Sequence, residues 1–299
     1  MLYDNNVFHM KFSIIIPTFN RADHICQAID SVLRQAHTDW ELIIVDDGST
    51  DTTRGVIDKI LDRRLNYIYQ ENKERGAARN TGIRKSTGDY VTFLDSDDQL
   101  HPTHLTEAYE MIRLWNQPHW FHLRYEIKTK EGHLLNKINR IASEEDLLKG
   151  NPLSCMGVFV RKDIINKNVF NEDRQLAGSE DWELWMRLAS QFPLRISNQV
   201  TATLISHKNR SVVNQHLERL VARIELARAL VIGNETVSNK WPTKKGLIQA
   251  HLYAYLSLHL ALSGSKSKAI RYLIKAVGNR FSIIFSRKMF GIIKTLLVN

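Results

Sequence analysis

The sequence predicts an α/β fold, with a mostly parallel central sheet covered by helices on both faces, followed by a C-terminal helical extension. Three observations carry this prediction. An apolar run at 12–17 is followed by further strand-like segments at 41–45, 65–69 and 90–94, and largely apolar runs are what strands buried on both faces require. Apolar residues at helical spacing stand between them, and the connections are short, which is the pattern of strand-helix-strand crossovers. From residue 212 onward the strand signal stops and only helical periodicity remains.

In order along the chain, residues 12–17 form the first strand, and Ile25, Ile29, Val32 and Leu33 follow at helical spacing. Residues 41–45 repeat the strand signal, 46–51 carry turn chemistry, and Val56, Ile57, Ile60 and Leu61 mark a helix. A third strand is predicted at 65–69, a helix at 76–85, and a fourth strand at 90–94 that runs into a burst of aspartates. Residues 102–116 read as a helix with Pro102 in its first turn, where a missing N–H costs nothing. Residues 120–128 read as a strand, and Glu131-Gly132 as a turn. After Gly150-Asn151-Pro152 come a strand at 156–160 and a helix at 181–188, whose apolar face is Trp182, Trp185, Met186 and Leu188. Helices are expected at 212–232, 246–262, 267–277 and 282–297. The natural cut falls near 210, giving an α/β domain at 1–210 and a basic helical region at 211–299.

Composition narrows the classes. The 299 residues are 43% hydrophobic and 24% charged, values that fit a folded globular chain and give no support to disordered or collagen-like readings. Two cysteines, Cys26 and Cys155, provide neither a disulfide framework nor a cysteine zinc site and suit a reducing compartment. The first ten residues contain Asp4 and lack the pattern of a signal peptide. The expected location is therefore cytoplasmic. Residues 246–265 carry no charge, but Gln249, His251, Ser257 and His259 make them too polar for a membrane span.

The net charge of +9 resides in the tail: acidic residues stop at Glu235, and residues 236–299 hold 11 basic groups and no acid. Residues 1–235 hold 30 basic and 32 acidic groups. With Phe281, Phe285 and Phe290 interleaved, residues 266–299 form a basic amphipathic region suited to an anionic inner-leaflet membrane surface, or else to a helical cap whose apolar stripe packs on the α/β domain. A nucleic-acid partner is not expected, because the basic groups lie in one tail and no zinc-finger or RNP-type spacing is present.

In a parallel sheet, ligands bind beyond the carboxyl ends of the strands, and four motifs stand there or in a helix start. Pro17-Thr18-Phe19-Asn20-Arg21 follows the first strand and offers polar groups to a planar base or a phosphate. Val45-Asp46-Asp47-Gly48-Ser49-Thr50-Asp51 follows the second. A carboxylate there accepts from an imide N–H or ribose hydroxyls, with Asp47 the better ligand and Asp46 the better structural residue. Asp95-Ser96-Asp97-Asp98 follows the fourth strand; three carboxylates crowded at the end of a buried strand repel one another unless a hard divalent cation, Mg²⁺ or Mn²⁺, sits among them, the alternative being a solvated acidic loop. In Gly178-Ser179-Glu180-Asp181-Trp182, the acids fall in the first turn of a helix, where the dipole stabilises them and where capping would look the same.

Together these motifs resemble the family 2 glycosyltransferases, inverting enzymes of the GT-A nucleotide-diphospho-sugar transferase fold. The resemblance runs from Phe12 to about Arg210 and rests on "SIIIPTFNRADHICQAIDSVLRQAHTDWELIIVDDGSTD", "NKERGAARNTGIRKSTGDYVTFLDSDDQLHP" and "GSEDWELWMRL". Lys73-Glu74 stand where many relatives have Gly-Gly. The resemblance implies that Pro17, Thr18, Asn20, Asp47, Arg79, Asp95 and Ser96 bind a nucleotide-sugar donor, a UDP-sugar by expectation. It further implies that Asp97, with Asp95, holds Mn²⁺ or Mg²⁺, and that Asp181 is the catalytic base with Glu180 and Trp182 toward the acceptor. His207 fits the place of a third metal contact, and His101 and His104 are weaker candidates. The acceptor is expected to be a carbohydrate or a lipid-linked sugar in cell-surface polysaccharide or glycolipid synthesis. Two other uses of the same motifs are a catalytically silent sugar-nucleotide-binding module and a sugar nucleotidyltransferase; for the latter, the Gly-rich loop with Arg after the first strand is absent, Pro17-Thr18-Phe19-Asn20 standing there instead.

Overall fold

The computed structural model describes residues 9–137, 143–207 and 217–298. Its first half follows the expected alternation: β1 (Phe12–Thr18), α1 (Ile25–Leu33), β2 (Trp40–Asp46), α2 (Thr53–Ile57), β3 (Leu65–Tyr69), α3 (Glu74–Lys85), β4 (Tyr90–Phe93), β5 (Gln99–Leu100) and α4 (His104–Leu114). Then come β6 (Trp120–Thr129), β7 (Leu134–Lys137), β8 (Val158–Arg161), α5 (Lys162–Ile165), α6 (Glu180–Gln191) and β9 (Arg195–Ser206). The C-terminal helices are α7 (Leu217–Gly233), α8 (Glu235–Lys240), α9 (Lys245–Leu262), α10 (Lys266–Asn279) and α11 (Arg287–Val298).

The strands form one nine-stranded sheet in the order β3-β2-β1-β4-β8-β6-β9-β5, with β7 on β6. From β3 to β4 the pairing is parallel, with Thr18 opposite Asp46 and Asp46 opposite Tyr69. Every residue of β1 is buried, as a strand covered on both faces must be. Beyond β4 the sheet is mixed: β8 runs antiparallel to β4 and β6, and β9 parallel to β6. The core joins the apolar face of α1 to β1, β2 and β6, with Phe121 and Phe159 stacked at 5.0 Å. Helix α3 packs on β1 and β2, and it comes close because residue 82 is glycine: a Cβ there would collide with the Ile15 side chain.

The chain divides into two compact units, the first formed by 1–139, 154–169 and 195–206 and the second by 140–153, 170–194 and 207–299. The units interleave along the sequence. In the second, α6 packs with α7 and α8, and α9 packs with α7, α10 and α11. The helix expected at 282–297 is interrupted: 281–285 form a 3-10 turn, Ser286 is extended, and its hydroxyl accepts from Met289 N as α11 begins. The expected start at 212 and the cut near 210 lie outside the described residues. Among the described residues, no helix is long and apolar enough to cross a membrane, and both cysteines are free.

Candidate active site

In the first unit, the carboxyl ends of β1, β2, β3 and β4 share one edge of the sheet, which gathers the loops after Thr18, Asp46, Tyr69 and Phe93. Asp46 and Asp47 divide their work as adjacent carboxylates on opposite sides of a strand end do. Asp46 is buried, and its oxygens accept from Ser49 N at 2.8 Å and from the Tyr67 hydroxyl at 2.7 Å. Burial, reinforced by that donation to Asp46, pushes the Tyr67 phenol well above its ordinary pKa. Asp47, also buried, accepts at one oxygen from Gln70 Nε2 (2.7 Å) and Lys73 N (2.9 Å). Gly48 follows at φ +86°, a left-handed turn in which a Cβ would come 2.9 Å from Asn72 N. The turn therefore needs glycine.

Asn20 clips the first two loops together. At φ 51° its N donates to Ser49 Oγ (2.9 Å), while its Oδ1 accepts from Thr50 N (2.8 Å) and Asp51 N (3.3 Å). Its side-chain oxygen is thus engaged by the chain itself. Pro17 and Thr18 are buried at the end of β1, and the Thr18 carbonyl accepts from Asp47 N at 2.8 Å. The Thr18 hydroxyl has no hydrogen-bond partner among the described residues.

After β4, Asp95, Asp97 and Asp98 bring carboxylate oxygens within 4.8 Å of one another. Contacts from distant segments hold this loop. Arg79 on α3, only 2% exposed, donates from Nη2 to Asp95 Oδ1 at 2.9 Å, and Asp98, buried at 1%, accepts from Ile205 N of β9 at 2.9 Å. Ser96 between them is buried. Three hard oxygen donors at this spacing match a divalent cation of the Mg²⁺ or Mn²⁺ type, and the donor set contains no soft ligand that would favour another metal. The fit of the residues to such an ion is therefore good.

The other two histidine candidates, His104 and His101, both contact threonines of β9. His104 is fully buried with Nδ1 2.7 Å from Thr201 Oγ1, and burial holds its pKa near 3. His101 Nε2 lies 3.0 Å from Thr203 Oγ1 and 3.4 Å from Glu126. Both tie the loop after β5 to β9.

In the second unit, α6 starts after Gly178, whose φ of 97° turns the chain sharply. Glu180 is buried and accepts from Gly178 N, closing the helix start on itself. Asp181 is partly exposed; Oδ2 accepts from Asn151 Nδ2 at 2.8 Å and Oδ1 from Trp182 N at 2.7 Å. Trp182 is 3% exposed and its indole N–H donates to Leu147 O at 2.9 Å. Neither Glu180 nor Trp182 presents an exposed surface. His207 is half-buried at the start of the last segment of this unit.

Sequence reasoning did not foresee Tyr67, Gln70, Lys73 or Asn151. The first three had a usable signal: they lie in or just after a strand parallel to β2, so the edge that holds Asp47 must hold them too.

The family model described as "Glycosyl transferase family 2" matches residues 13–139. An uncharacterized glycosyltransferase of Haemophilus influenzae is 35% identical over 173 residues, 54% of this chain and 68% of that protein. The putative teichuronic acid biosynthesis glycosyltransferase TuaG of Bacillus subtilis is 29% identical over 239 residues, 78% of this chain and 84% of that protein. An uncharacterized glycosyltransferase of Rickettsia bellii is 31% identical over 210 residues; the match takes 68% of this chain but only 30% of that longer protein. Among solved structures, S. aureus TarS 1–349 in complex with UDP-GlcNAc superposes with a TM-score of 0.63 at 17% identity, covering 88% of this chain and 89% of that one. The mannosyltransferase PcManGT from Pyrobaculum calidifontis, in complex with GDP-Man and Mn2+, gives 0.60 at 16% identity over 98% and 88%. At those identities the structures share the fold.

Proposed function

The chain belongs to the family 2 glycosyltransferases, and from that membership we propose that it moves a sugar from a UDP-sugar to an acceptor hydroxyl, with inversion and metal assistance, in cell-surface polysaccharide or glycolipid synthesis. The observation that carries the reading is the three-carboxylate group of Asp95, Asp97 and Asp98 at the carboxyl edge of the parallel strands. TuaG, TarS in its UDP-GlcNAc complex and PcManGT with GDP-Man and Mn2+ support it by similarity.

In this proposal Asp47 accepts from the base or ribose of the donor, beside Pro17, Thr18, Asn20 and Ser96. Lys73 N and Gln70 hold that carboxylate in orientation. Arg79 fixes Asp95, and Asp95 and Asp97 hold Mn²⁺ or Mg²⁺, with His207 as a further contact. When bound, such an ion offsets the charge that gathers on the leaving diphosphate. Asp181 takes the proton of the acceptor hydroxyl as its oxygen bonds to the anomeric carbon and the bond from that carbon to the phosphate oxygen breaks. A single displacement on the opposite face inverts the carbon. Asn151 steadies Asp181, and the buried Glu180 and Trp182 hold the helix start that presents it. The acceptor is a carbohydrate or lipid-linked sugar, and the chain works in the cytoplasm, peripheral to the inner face of the membrane.

The direct test is calorimetric titration of the full chain with a panel of nucleotide sugars, with and without Mn²⁺. Tight binding of a UDP-sugar that requires the ion is the expected result. Metal-independent binding, or none across the panel, would remove the reading.

A further inference from the structure

A helix that only caps its own unit needs one apolar stripe, and α11 has two. Met289 and Ile292 are buried, at 3% and 0% exposed, and α11 packs on α9. Phe290, Ile293 and Leu297 lie on a different stripe, at spacings of three and four residues, and are 69%, 46% and 80% exposed. Lys294 shares that stripe. The 3-10 turn ahead of α11 repeats the arrangement, with Ile283 buried while Phe281 and Phe285 are 68% and 76% exposed. On α10, Ala269 and Ala276 face inward, whereas Ile270 and Ile274 are exposed beside Arg271. Packing within the unit accounts for the buried stripes and leaves the exposed ones unexplained.

Charge identifies what suits them. In the second unit Lys240 pairs with Glu144, Lys244 with Glu145 and Lys275 with Glu225, and Lys288 donates to Lys149 O. Lys266, Lys268, Arg271, Arg280, Arg287 and Lys294 form no ion pair among the described residues. No acidic residue follows Glu235. The surface thus combines exposed phenylalanines and aliphatics with cations that form no ion pair among the described residues, which is the chemistry of a bilayer interface with anionic headgroups.

We propose that the surface formed by residues 281–297, flanked by the exposed face of α10, docks on an anionic lipid bilayer. Phe281, Phe285, Phe290 and Leu297 enter the boundary between headgroups and acyl chains, and Arg280, Arg287 and Lys294 meet lipid phosphates. The inference specifies the peripheral location proposed above. It rests on exposure and charge alone, so lipid binding and sugar transfer can fail separately.

The test is co-sedimentation of the full chain with vesicles of phosphatidylglycerol and phosphatidylcholine against vesicles of phosphatidylcholine alone, over a salt series, with sedimentation velocity in the absence of lipid. Wild-type chain is expected to bind the anionic vesicles and to lose binding as salt rises. Phe285→Ser/Phe290→Ser, at exposed positions that leave the melting temperature unchanged, lowers binding by at least about tenfold. Arg280→Gln/Arg287→Gln/Lys294→Gln lowers it by about a hundredfold. Equal binding to both vesicle types, or variants that bind as the wild type does, would overturn the proposal. So would a lipid-free self-association that the phenylalanine variant abolishes, since a second copy would then be the occupant.

Discussion

The Arg79 guanidinium, buried on α3, reaches Asp95 with Nη2 2.9 Å from Oδ1. A helix residue thereby holds the first carboxylate of the acidic loop, and the fold spends a buried charge on that orientation. Isolated buried cations are costly, so the pair has to persist for α3 to pack as it does.

Arg79→Gln therefore removes both the charge and the orientation of Asp95. Turnover is expected to fall by at least about a hundredfold, because misplacing a binding group by an ångström has effects of that size. Steady-state assays with a UDP-sugar, alongside a thermal melt to confirm folding, measure it. Turnover within a factor of two of wild type would dissociate Asp95 from the reaction.

Asp97→Ala and Asp181→Asn are expected to fail in different ways. The first weakens donor binding and removes its dependence on Mn²⁺. The second leaves donor binding intact while turnover falls by about 10² to 10⁴, as loss of a positioned base does. Calorimetry and turnover measured on the same preparations separate the two, and near-normal turnover by Asp181→Asn would move the base elsewhere.

Gly82 lets α3 lie against β1, where a methyl group would strike Ile15. Gly82→Ala is expected to destabilise the protein by about 1 to 3 kcal/mol, the usual cost of overpacking. It should also lower activity among folded molecules, since α3 carries Arg79. Urea denaturation gives the first quantity and specific activity the second.

Acid should destabilise the first unit well above the range of its carboxylates. Burial holds His104 and His122 at pKa values of about 3, helped by neighbouring positive charge. Above pH 6.5 neither state protonates and stability is unaffected. Below it, the unfolded chain takes up protons that the folded one refuses, so stability falls by about 1.4 kcal/mol per pH unit for each histidine, or about 2 kcal/mol each at pH 5. Urea midpoints between pH 7 and pH 5 should drop accordingly, and His122→Leu should flatten the slope. An unchanged midpoint would mean that these rings protonate in place.

The parallel half of the sheet was legible because buried strands and amphipathic helices write their periodicity directly into the sequence. Strand β9 was not. Its twelve residues, Arg195–Ser206, show no regular alternation and are mostly half-exposed or exposed outside 201–203. They are a strand because β6 and β5 pair with them, a contact between segments more than 70 residues apart. The interrupted helix at Ser286 escaped for a local reason: apolar spacing continues across a residue whose backbone is extended.

By itself, the sequence determined which side chains could do chemistry here: the aspartates after two apolar strands, the acidic helix start at Glu180 and Asp181, and a tail whose cations have no acids beside them. Only the tertiary structure decided how they are employed. Asp46 is committed to Tyr67 and Ser49, Asp98 to the backbone of Ile205, Trp182 to Leu147, and Asn20 to the next loop. The division has a physical cause. Periodicity and composition record whether a residue prefers burial or solvent, but a hydrogen-bond partner many residues away becomes its neighbour only when the chain has folded.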